Sequence, residues 1–423
     1  MNKIVPSVKG TRDFYPEQMA LRTWLYDSLR EVSELYGYQE YEGPFLEMLE
    51  LYAAKSGEEL VKEQSYVFED RGGALIALRP ELTPTLARMV AQKQKELTYP
   101  NRWWSFGPFW RYEKPQKGRS REFFQWNIDM MGVNTPQSDA ELIAIAATFF
   151  KKIGLDPSDT RIYVNDRRLM ENQFDRIGLS TELKQMVSGL VDKRSKLPSN
   201  EWETYALEIG LNQVQFSALK NLLENKDLWK ESVEMKELFS TLDVMGFRDY
   251  VEFDPNIVRG LLYYTGTVFE AFDTSGSVRR SILGGGRYDN LLADVGGDPL
   301  PCTGFAMGDV VISLILQEKG LVPTFNISPA QTLVTIFSEE LADQSQALSS
   351  ELRNKGINVN CYPETIKLNK QFKFADKMGM RLVLVIGPDE SLQGKVTIKD
   401  LAIGTQEMVD RKRIAMRVKE LLA

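Results

Sequence analysis

At 423 residues, with 43% hydrophobic and 26% charged side chains, the chain has the length for two or three cored domains and the make-up of a soluble globular protein. No apolar run reaches the roughly 20 residues of a membrane helix, the start MNKIVPSVKGTRDFYP has no signal-peptide core, and Cys302 and Cys361 are too few for a disulfide framework or a cysteine-rich zinc site. A cytoplasmic protein with no membrane partner and two buried thiols is expected. Histidine is absent altogether, which removes the commonest general base and metal ligand and leaves carboxylates, arginines, backbone dipoles or a bound ion to carry any chemistry. The net charge of −7 argues against general nucleic-acid affinity, yet from Ile327 onward 14 Lys and Arg outnumber 12 Asp and Glu. A local positive patch suffices to meet phosphates.

After the turn-rich lead-in Val8 to Pro16, the segment Glu17 to Tyr36 places Leu21, Leu25, Leu29, Val32 and Leu35 at helical spacing. That pattern predicts about five turns, ending near Gly37. YQEYEGPFLEMLELY then reads as a strand broken at Pro44 before a short helix. ALIALRPELTPTLARM, Ala74 to Met89, reads as a strand stopped at Pro80 and followed by a helix, with Thr83 as its N-cap and Pro84 at the first helical position. Glu81 falls just before that helix, where the dipole favours a carboxylate.

SFGPFWRYEKPQKGRSREFFQWNIDM, Ser105 to Met130, reads as two strands joined by a charged loop. Alternation puts Phe123, Gln125, Asn127 and Asp129 on one face and Phe124, Trp126, Ile128 and Met130 on the other. One face is core and the other a lined floor. Phe109, Arg111 and Glu113 share a parity on the incoming strand, and the loop about Gly118 adds Lys114, Lys117, Arg119 and Arg121. Arginines meet phosphate oxygens by planar, often bidentate hydrogen bonds, and Phe123 offers a ring for a base to stack on, so a polyphosphate, an aromatic base and a small polar ligand fit this floor. An amphipathic hairpin with a solvated basic loop is the plainer alternative.

Gln137 to Lys152 predicts an amphipathic helix behind the sheet. Residues from about 168 to 246, with stretches such as TELKQMVSGLVDKR and QFSALKNLLENK and no strand periodicity, predict a helical insertion. FDPNIVRGLLYYTGTVFEAF (Phe253 to Phe272) and ILGGGRYDNLL (Ile282 to Leu292) then supply Arg259, Tyr263, Tyr264 and, on a glycine-rich turn, Tyr288. Taken alone, a buried ion pair accounts for Arg259 and a core strand for the tyrosines. PCTGFAMGDVVISLIL (Pro301 to Leu316) is a strand leading into a helix, and GLVPTFNIS (Gly320 to Ser328) is a linker. Beyond it TLVTIF, INVNCY, RLVLVIG and KVTIKDL read as strands, with helices at Glu339 to Asn354 and near Gln371 to Met378, giving an α/β module that RKRIAMRVKELL closes.

FWRYEKPQKGRSREFFQ closely resembles motif 2 of the class II aminoacyl-tRNA synthetases in the form used by the histidyl-tRNA synthetase family, and VRGLLYYTG followed by GGGRYD resembles the two signatures peculiar to that family. The resemblance extends over nearly the whole chain. It implies an α+β class II catalytic domain over 1–325, with an antiparallel sheet flanked by helices and the insertion at about 168–246 sitting over a tRNA acceptor stem. It also implies an α/β anticodon-binding domain over 328–423, where the element order and KQFKFADKMG carry the likeness. The helix and the strand broken at Pro44 correspond to motif 1, which makes the dimer interface in class II enzymes, so a homodimer is implied. The implied activity is that of an ATP-dependent ligase: L-histidine is activated with ATP and Mg²⁺ to histidyl-adenylate and transferred to tRNA(His).

By the same resemblance Arg259 and Arg111 are catalytic, stabilising the charge that builds up during adenylation. Glu81, Leu82 and Thr83 match the segment that holds the α-amino group, Gln125 and Asp129 read the imidazole, and Arg111, Arg259, Tyr263, Tyr264 and Tyr288 complete the histidine pocket. ATP falls to Arg111, Glu113, Arg119, Arg121 and Phe123, and no residue is assigned to a metal. Three positions depart from the family pattern. Asp129 stands where Glu is usual, Leu262 where many members carry Asp, and Asp309, Val310 and Val311 where most class II synthetases place an arginine for adenine and the γ-phosphate. That last departure alone favours an alternative, the catalytically silent histidine-sensing paralogue that regulates ATP phosphoribosyltransferase. The paralogue typically lacks the anticodon module, which this chain keeps; a purely structural RNA-binding protein leaves the two histidine signatures unexplained.

Overall fold

The computed structural model describes residues 4–53, 63–194, 196–258, 263–276, 278 and 280–423. Its contacts gather into two units, Met1–Asp13 with Arg22–Val322 and Phe14–Leu21 with Pro323–Ala423. Arg259 and Leu262 lie outside the described residues.

Helix α1 (Pro16–Leu35) starts at a proline, whose fixed φ suits a first turn, and turns Leu25, Leu29 and Val32 inward. Leu35, expected on the same stripe, is 75% exposed. The helix ends at that residue, and Gly37, at φ +77°, reverses the chain so that Tyr38 takes the buried place instead. Pro44 separates β1 (Gln39–Glu40) from β2 (Leu46–Met48), and α2 (Glu50–Ala53) follows. β2 joins a small antiparallel sheet with β3 (Tyr66–Glu69) and β4 (Leu75–Leu78), in the order β2-β4-β3.

Helix α3 (Thr83–Lys93) precedes the hairpin β5 (Asn101–Trp110) and β6 (Glu122–Met131), paired without interruption from Asn101 opposite Met131 to Trp110 opposite Glu122. Helix α4 (Pro136–Lys152) is capped by the Thr135 hydroxyl, which accepts from the Ser138 N–H. The expected amphipathic helix is in fact apolar on nearly every side, buried from Ala140 to Phe150 save Glu141 and Thr148. It lies between the sheet and a second helical layer, and a helix enclosed on both sides has no solvent face to keep polar.

The remaining catalytic strands are β7 (Thr160–Asp166), then, after the insertion, β8 (Val251–Phe253), β9 (Thr267–Asp273), β10 (Leu283–Tyr288) and β11 (Cys302–Gly308). The eight-stranded sheet runs β1-β5-β6-β11-β10-β9-β7-β8. Its six middle strands are antiparallel, as expected, while β1 pairs parallel with β5 and β8 parallel with β7. The insertion is wholly helical among its described residues: α5 (Arg167–Arg176), α6 (Thr181–Asp192), α7 (Ser199–Glu208), α8 (Gln213–Glu224) and α9 (Val233–Met245), with short 3-10 turns. Asp166, Ser180, Asn212 and Ser232 cap α5, α6, α8 and α9 by accepting a backbone N–H, so these short helices start cleanly from sequence. Helix α10 (Leu291–Asp294) follows β10, and α11 (Asp309–Glu318) follows β11 directly.

The second unit is a five-stranded sheet ordered β13-β12-β14-β15-β16, from β12 (Thr332–Val334), β13 (Val359–Cys361), β14 (Leu382–Val385), β15 (Lys395–Asp400) and β16 (Thr405–Asp410). Helices α12 (Ala342–Asn354), α13 (Leu368–Lys377), α14 (Pro388–Gln393) and α15 (Ile414–Leu422) complete it. Leu348, Leu352, Ile414 and Val418 pack onto Val334, Leu382, Leu384 and Ile398. On α13 the fully buried Gln371 satisfies itself by donating to the Ile336 and Ile366 carbonyls, each at 2.8 Å, and accepting from the Ile336 N–H at 2.9 Å.

Candidate active site

The β5–β6 hairpin forms the floor that its alternation predicts. Trp126, Ile128 and Met130 are buried on the core side, where the Trp126 indole N–H donates to Ser33 Oγ at 3.1 Å. Gln125, Asn127 and Asp129 face the other way into a cavity of about 120 Å³, which Glu81, Thr83, Arg111, Tyr263, Tyr264 and Tyr288 also line. Six segments far apart in sequence, the start of α3, the β5–β6 loop, β6, the chain before β9, β10 and β11, are thereby brought to one point.

Glu81 and Thr83 reach the cavity because the chain before α3 is clamped from behind. The fully buried Arg79 lies between the Phe45 and Phe109 rings, its Cζ 4.6 and 4.5 Å from their centroids, donates to the Pro108 and Gly43 carbonyls at 2.9 and 3.1 Å, and pairs with Glu42. Thr83 is not the expected N-cap: it is the first residue of α3, Leu82 occupies the cap position with no side-chain hydrogen bond, and the Thr83 side chain is given to the cavity wall instead. Leu82 itself is 1% exposed and does not line the cavity.

The polar chemistry of the cavity concentrates at Asp129. Burial pushes its carboxyl up to about 7, against the opposing hydrogen bond from the Tyr288 hydroxyl at 2.6 Å. Burial likewise pushes the Tyr288 hydroxyl up. Gln125 Oε1 and Asn127 Nδ2 are buried with no hydrogen-bond partner among the described residues, an acceptor and a donor that cost free energy until a ligand meets them. The Tyr263 ring lies 4.8 Å from Tyr264 and 5.9 Å from Tyr288, closing the apolar side.

The GGGRYD glycines lie within strand β10 and do not form a turn. Their role is close approach. A side chain at Gly285 would collide with the Gly304 carbonyl and Phe305, and one at Gly286 would meet the Thr267 carbonyl at 2.6 Å and the Tyr264 ring at 2.9 Å. Gly304, opposite Asp129 in the β11–β6 register, leaves the room its carboxylate occupies. Alternation places Asn127 on the floor without assigning it a role, and Gly304 is not foreseen as a site residue, because only cross-strand register shows what it faces. In the same string Arg287 is buried and donates to Asp139 Oδ1 at 2.7 Å, Ser138 Oγ at 2.7 Å and the Val133 carbonyl at 2.9 Å, tying β10 to the start of α4.

A second, larger cleft of about 1230 Å³ adjoins the first, and Arg111 and Gln125 line both. Arg111 is fixed by donating from Nε to the Pro80 carbonyl at 3.0 Å, with its Cζ 5.3 Å from the Phe123 centroid. Strand pairing stops at Trp110, so Arg111 and Glu113 belong to the loop, where the Arg111 N–H still donates to the Arg121 carbonyl at 2.9 Å. Glu113 pairs with Arg119 at 2.7 Å, and both line the cleft with Phe123, which stacks on Phe109 at 6.1 Å. Arg121, expected beside them, does not line the cleft; its guanidinium lies 4.1 Å over the Tyr112 ring and its Nε donates to the Glu113 carbonyl at 3.1 Å. Val310 and Val311 also line the cleft, while Asp309 turns away and accepts from the Phe124 N–H at 2.9 Å and from Arg12 at 2.8 Å.

A largely antiparallel sheet whose hairpin floor joins a small polar cavity to an arginine-walled cleft is the catalytic fold of a class II aminoacyl-tRNA synthetase. The family model described as histidyl-tRNA synthetase matches residues 10–309, and that of an anticodon binding domain matches 331–421. The chain is 40% identical over 411 residues to the chloroplastic/mitochondrial histidine–tRNA ligase of Arabidopsis thaliana, a span of 95% of this chain and 84% of that protein. The crystal structure of histidyl-tRNA synthetase from Nostoc sp. PCC 7120 superposes with a TM-score of 0.82 at 27% identity, covering 99% of both chains. A structure described as an ATP phosphoribosyltransferase regulatory subunit/histidyl-tRNA synthetase from Bacillus halodurans C shares the fold, with a TM-score of 0.72 at 24% identity over 88% of this chain and 97% of that one. The chain belongs to the histidyl-tRNA synthetase family.

Proposed function

We propose that the protein is the ATP-dependent ligase that activates L-histidine to histidyl-adenylate and transfers it to tRNA(His). The observation that carries this reading is the junction of the two cavities at Arg111. Histidine in the smaller one places its imidazole against Gln125 and Asp129 and its α-amino group toward Glu81 and Thr83. Its carboxylate then meets the α-phosphate of an ATP whose adenine lies toward Phe123 and whose phosphates run along Arg119 and Glu113. The carboxylate is already the nucleophile at neutral pH, so no histidine or other base is required. A carboxylate oxygen bonds to the α-phosphorus, the bond to the bridging oxygen breaks, and pyrophosphate leaves. Arg111 stabilises the charge on the α-phosphate as it builds, with Arg259 assigned the same task from the family signature.

Mg²⁺ takes hard oxygen ligands, often one or two carboxylates together with substrate phosphates, and Glu113 and Glu270 on the cleft wall are donors of that kind. The ion would neutralise phosphate charge. A buried site that hydrogen-bonds both ring nitrogens rejects analogues lacking them, because its own groups would be left unpaired. We assign residues 1–325 to catalysis, with the insertion at 168–246 toward the acceptor stem, and 328–423 to the anticodon. We place the enzyme in the cytoplasm as a homodimer; among the described residues no helix is long and apolar enough to cross a membrane.

The test is exchange of labelled pyrophosphate into ATP by the purified protein with histidine or each other amino acid. Exchange with histidine alone is expected. Histidine binding without exchange would overturn the catalytic assignment and favour a histidine sensor.

A further inference from the structure

The larger cleft is electrostatically uneven. At its insertion end the charges are paired off: Lys196 with Asp192 at 2.6 Å, Arg194 with Glu224 at 3.2 Å and Lys226 with Asp254 at 3.0 Å. At the hairpin end three guanidiniums, Arg111, Arg119 and Arg280, share the wall with two carboxylates, Glu113 and Glu270. Arg280 comes from the connection between β9 and β10 and crosses to the tip of the β5–β6 loop. A Cβ built on Gly118 would lie 2.9 Å from Arg280 Cδ, 3.5 Å from its Nε and 3.7 Å from Val311 Cγ2. The absence of a side chain at Gly118, which sits at φ +79°, is what lets the arginine in.

Among the described residues the Arg280 side chain forms no salt bridge or hydrogen bond. It is half-buried, and burial first, then the charge of Arg119, lower its pKa from the ordinary value, with Glu113 opposing. A cation held beside another cation without a partner is waiting for an anion. The start of α11, on the same wall, offers Val310 and Val311 and no cation.

We propose that Arg280 is a nucleotide-binding residue that, with Arg119, grips the outer phosphates of ATP, the pair that departs as pyrophosphate. The proposal rests on the cleft being the ATP site. Arg111 lines both cavities and so takes the phosphate nearest the amino acid; Arg280, over Gly118 and beside Val311, takes the far end. Guanidinium matches phosphate by paired N–H donors, which an ammonium supplies only as a point charge.

The experiment is pyrophosphate exchange by wild type, Arg280→Ala and Arg280→Lys, with the KM for ATP, pyrophosphate and histidine measured separately. Removing Arg280 is expected to raise the KM for both ATP and pyrophosphate at least tenfold and to leave the histidine KM within twofold, with Lys recovering part of the loss. Unchanged ATP and pyrophosphate KM values in Arg280→Ala would overturn the proposal even as histidine-dependent exchange by wild type upholds the activity. Should wild type show no exchange, equilibrium dialysis with Mg-ATP decides the matter: weaker binding by Arg280→Ala supports the role, and equal binding refutes it. A melting curve matching wild type shows that the variant is folded, and Arg280→Gln takes its place if Ala is not.

Discussion

Asp129 sets binding against stability. Among the described residues its hydrogen-bond partner is the Tyr288 hydroxyl, and burial raises its carboxyl from 3.8 to about 7. A folded-state pKa raised in this way favours the neutral form, so the contribution to stability is fully present below the unfolded value near 3.8 and is lost as pH rises through about 7. Above that, keeping the charge costs on the order of 4 kcal/mol, which an imidazole N–H offsets when histidine binds. Asp129→Asn keeps an acceptor for Tyr288 and removes the charge. It should raise the melting temperature by several degrees at pH 8 and by roughly a third as much at pH 5, while histidine-dependent exchange falls at least 100-fold. The same melting difference at both pH values would refute the account. Gly304→Ala tests the other side of the same contact, since its methyl group lands on the Asp129 carboxylate; a histidine KM raised tenfold or more is expected from exchange kinetics. Alternation along one strand was enough to find Gln125 and Asp129 in the sequence. Gly304 is not legible there, because what it faces is decided by a neighbouring strand 175 residues away, and Asn127, on the same face, carries no motif that assigns it a role.

Elements with a strong period of their own were readable in the same way: α1, the hairpin, the insertion helices and the first four strands of the second unit. Those that depend on neighbours were not. Strand β16 has a single apolar residue on each face, Met408 and Val409, and is largely exposed, so no alternation marks it, and β10 holds three consecutive glycines that suit a turn by propensity but serve here to let β9 and β11 close in. How β10 is tied to the rest shows what such packing is worth. Arg287 and Asp139 are 3% and 4% exposed and meet at 2.7 Å, joining the strand that carries Tyr288 to the helix behind the sheet. Removing one partner of a buried pair leaves a charge uncompensated and typically costs about 3–5 kcal/mol. Arg287→Ala should therefore lower the urea midpoint by that equivalent, whereas Lys319→Ala, at a pair with Asp159 that is about a quarter exposed, should cost under about 1 kcal/mol. Equal losses in the two variants would mean that burial does not govern these pairs.

With a net charge of −7, the protein must meet a polyanionic tRNA through local patches, so charging should depend on salt far more steeply than adenylation does. Raising the salt from 50 to 200 mM should increase the KM for tRNA by roughly an order of magnitude or more and leave histidine-dependent exchange nearly unchanged; parallel changes in both would refute a phosphate-led encounter. The proposed homodimer draws on a different surface. In the small sheet the register aligns Leu46 and Tyr66 with Leu78, and Met48 and Phe68 with Ile76, so six apolar side chains share one face, and Leu46, Met48 and Phe68 are 47%, 44% and 45% exposed. An apolar face of that kind favours burial against a partner, and we assign it to the second copy of the chain in the proposed homodimer. The consequence reaches the site, because Phe45, at the edge of the same sheet, stacks on Arg79, and Arg79 holds the segment that carries Glu81 and the carbonyl that fixes Arg111. The double variant Met48→Asp, Phe68→Asp should sediment as a monomer where wild type sediments as a dimer, and should lose at least tenfold in exchange although neither residue lines either cavity. A monomeric wild type would remove the premise. A monomeric variant with full exchange would show instead that the face serves assembly alone and that Arg79 needs no support from across it.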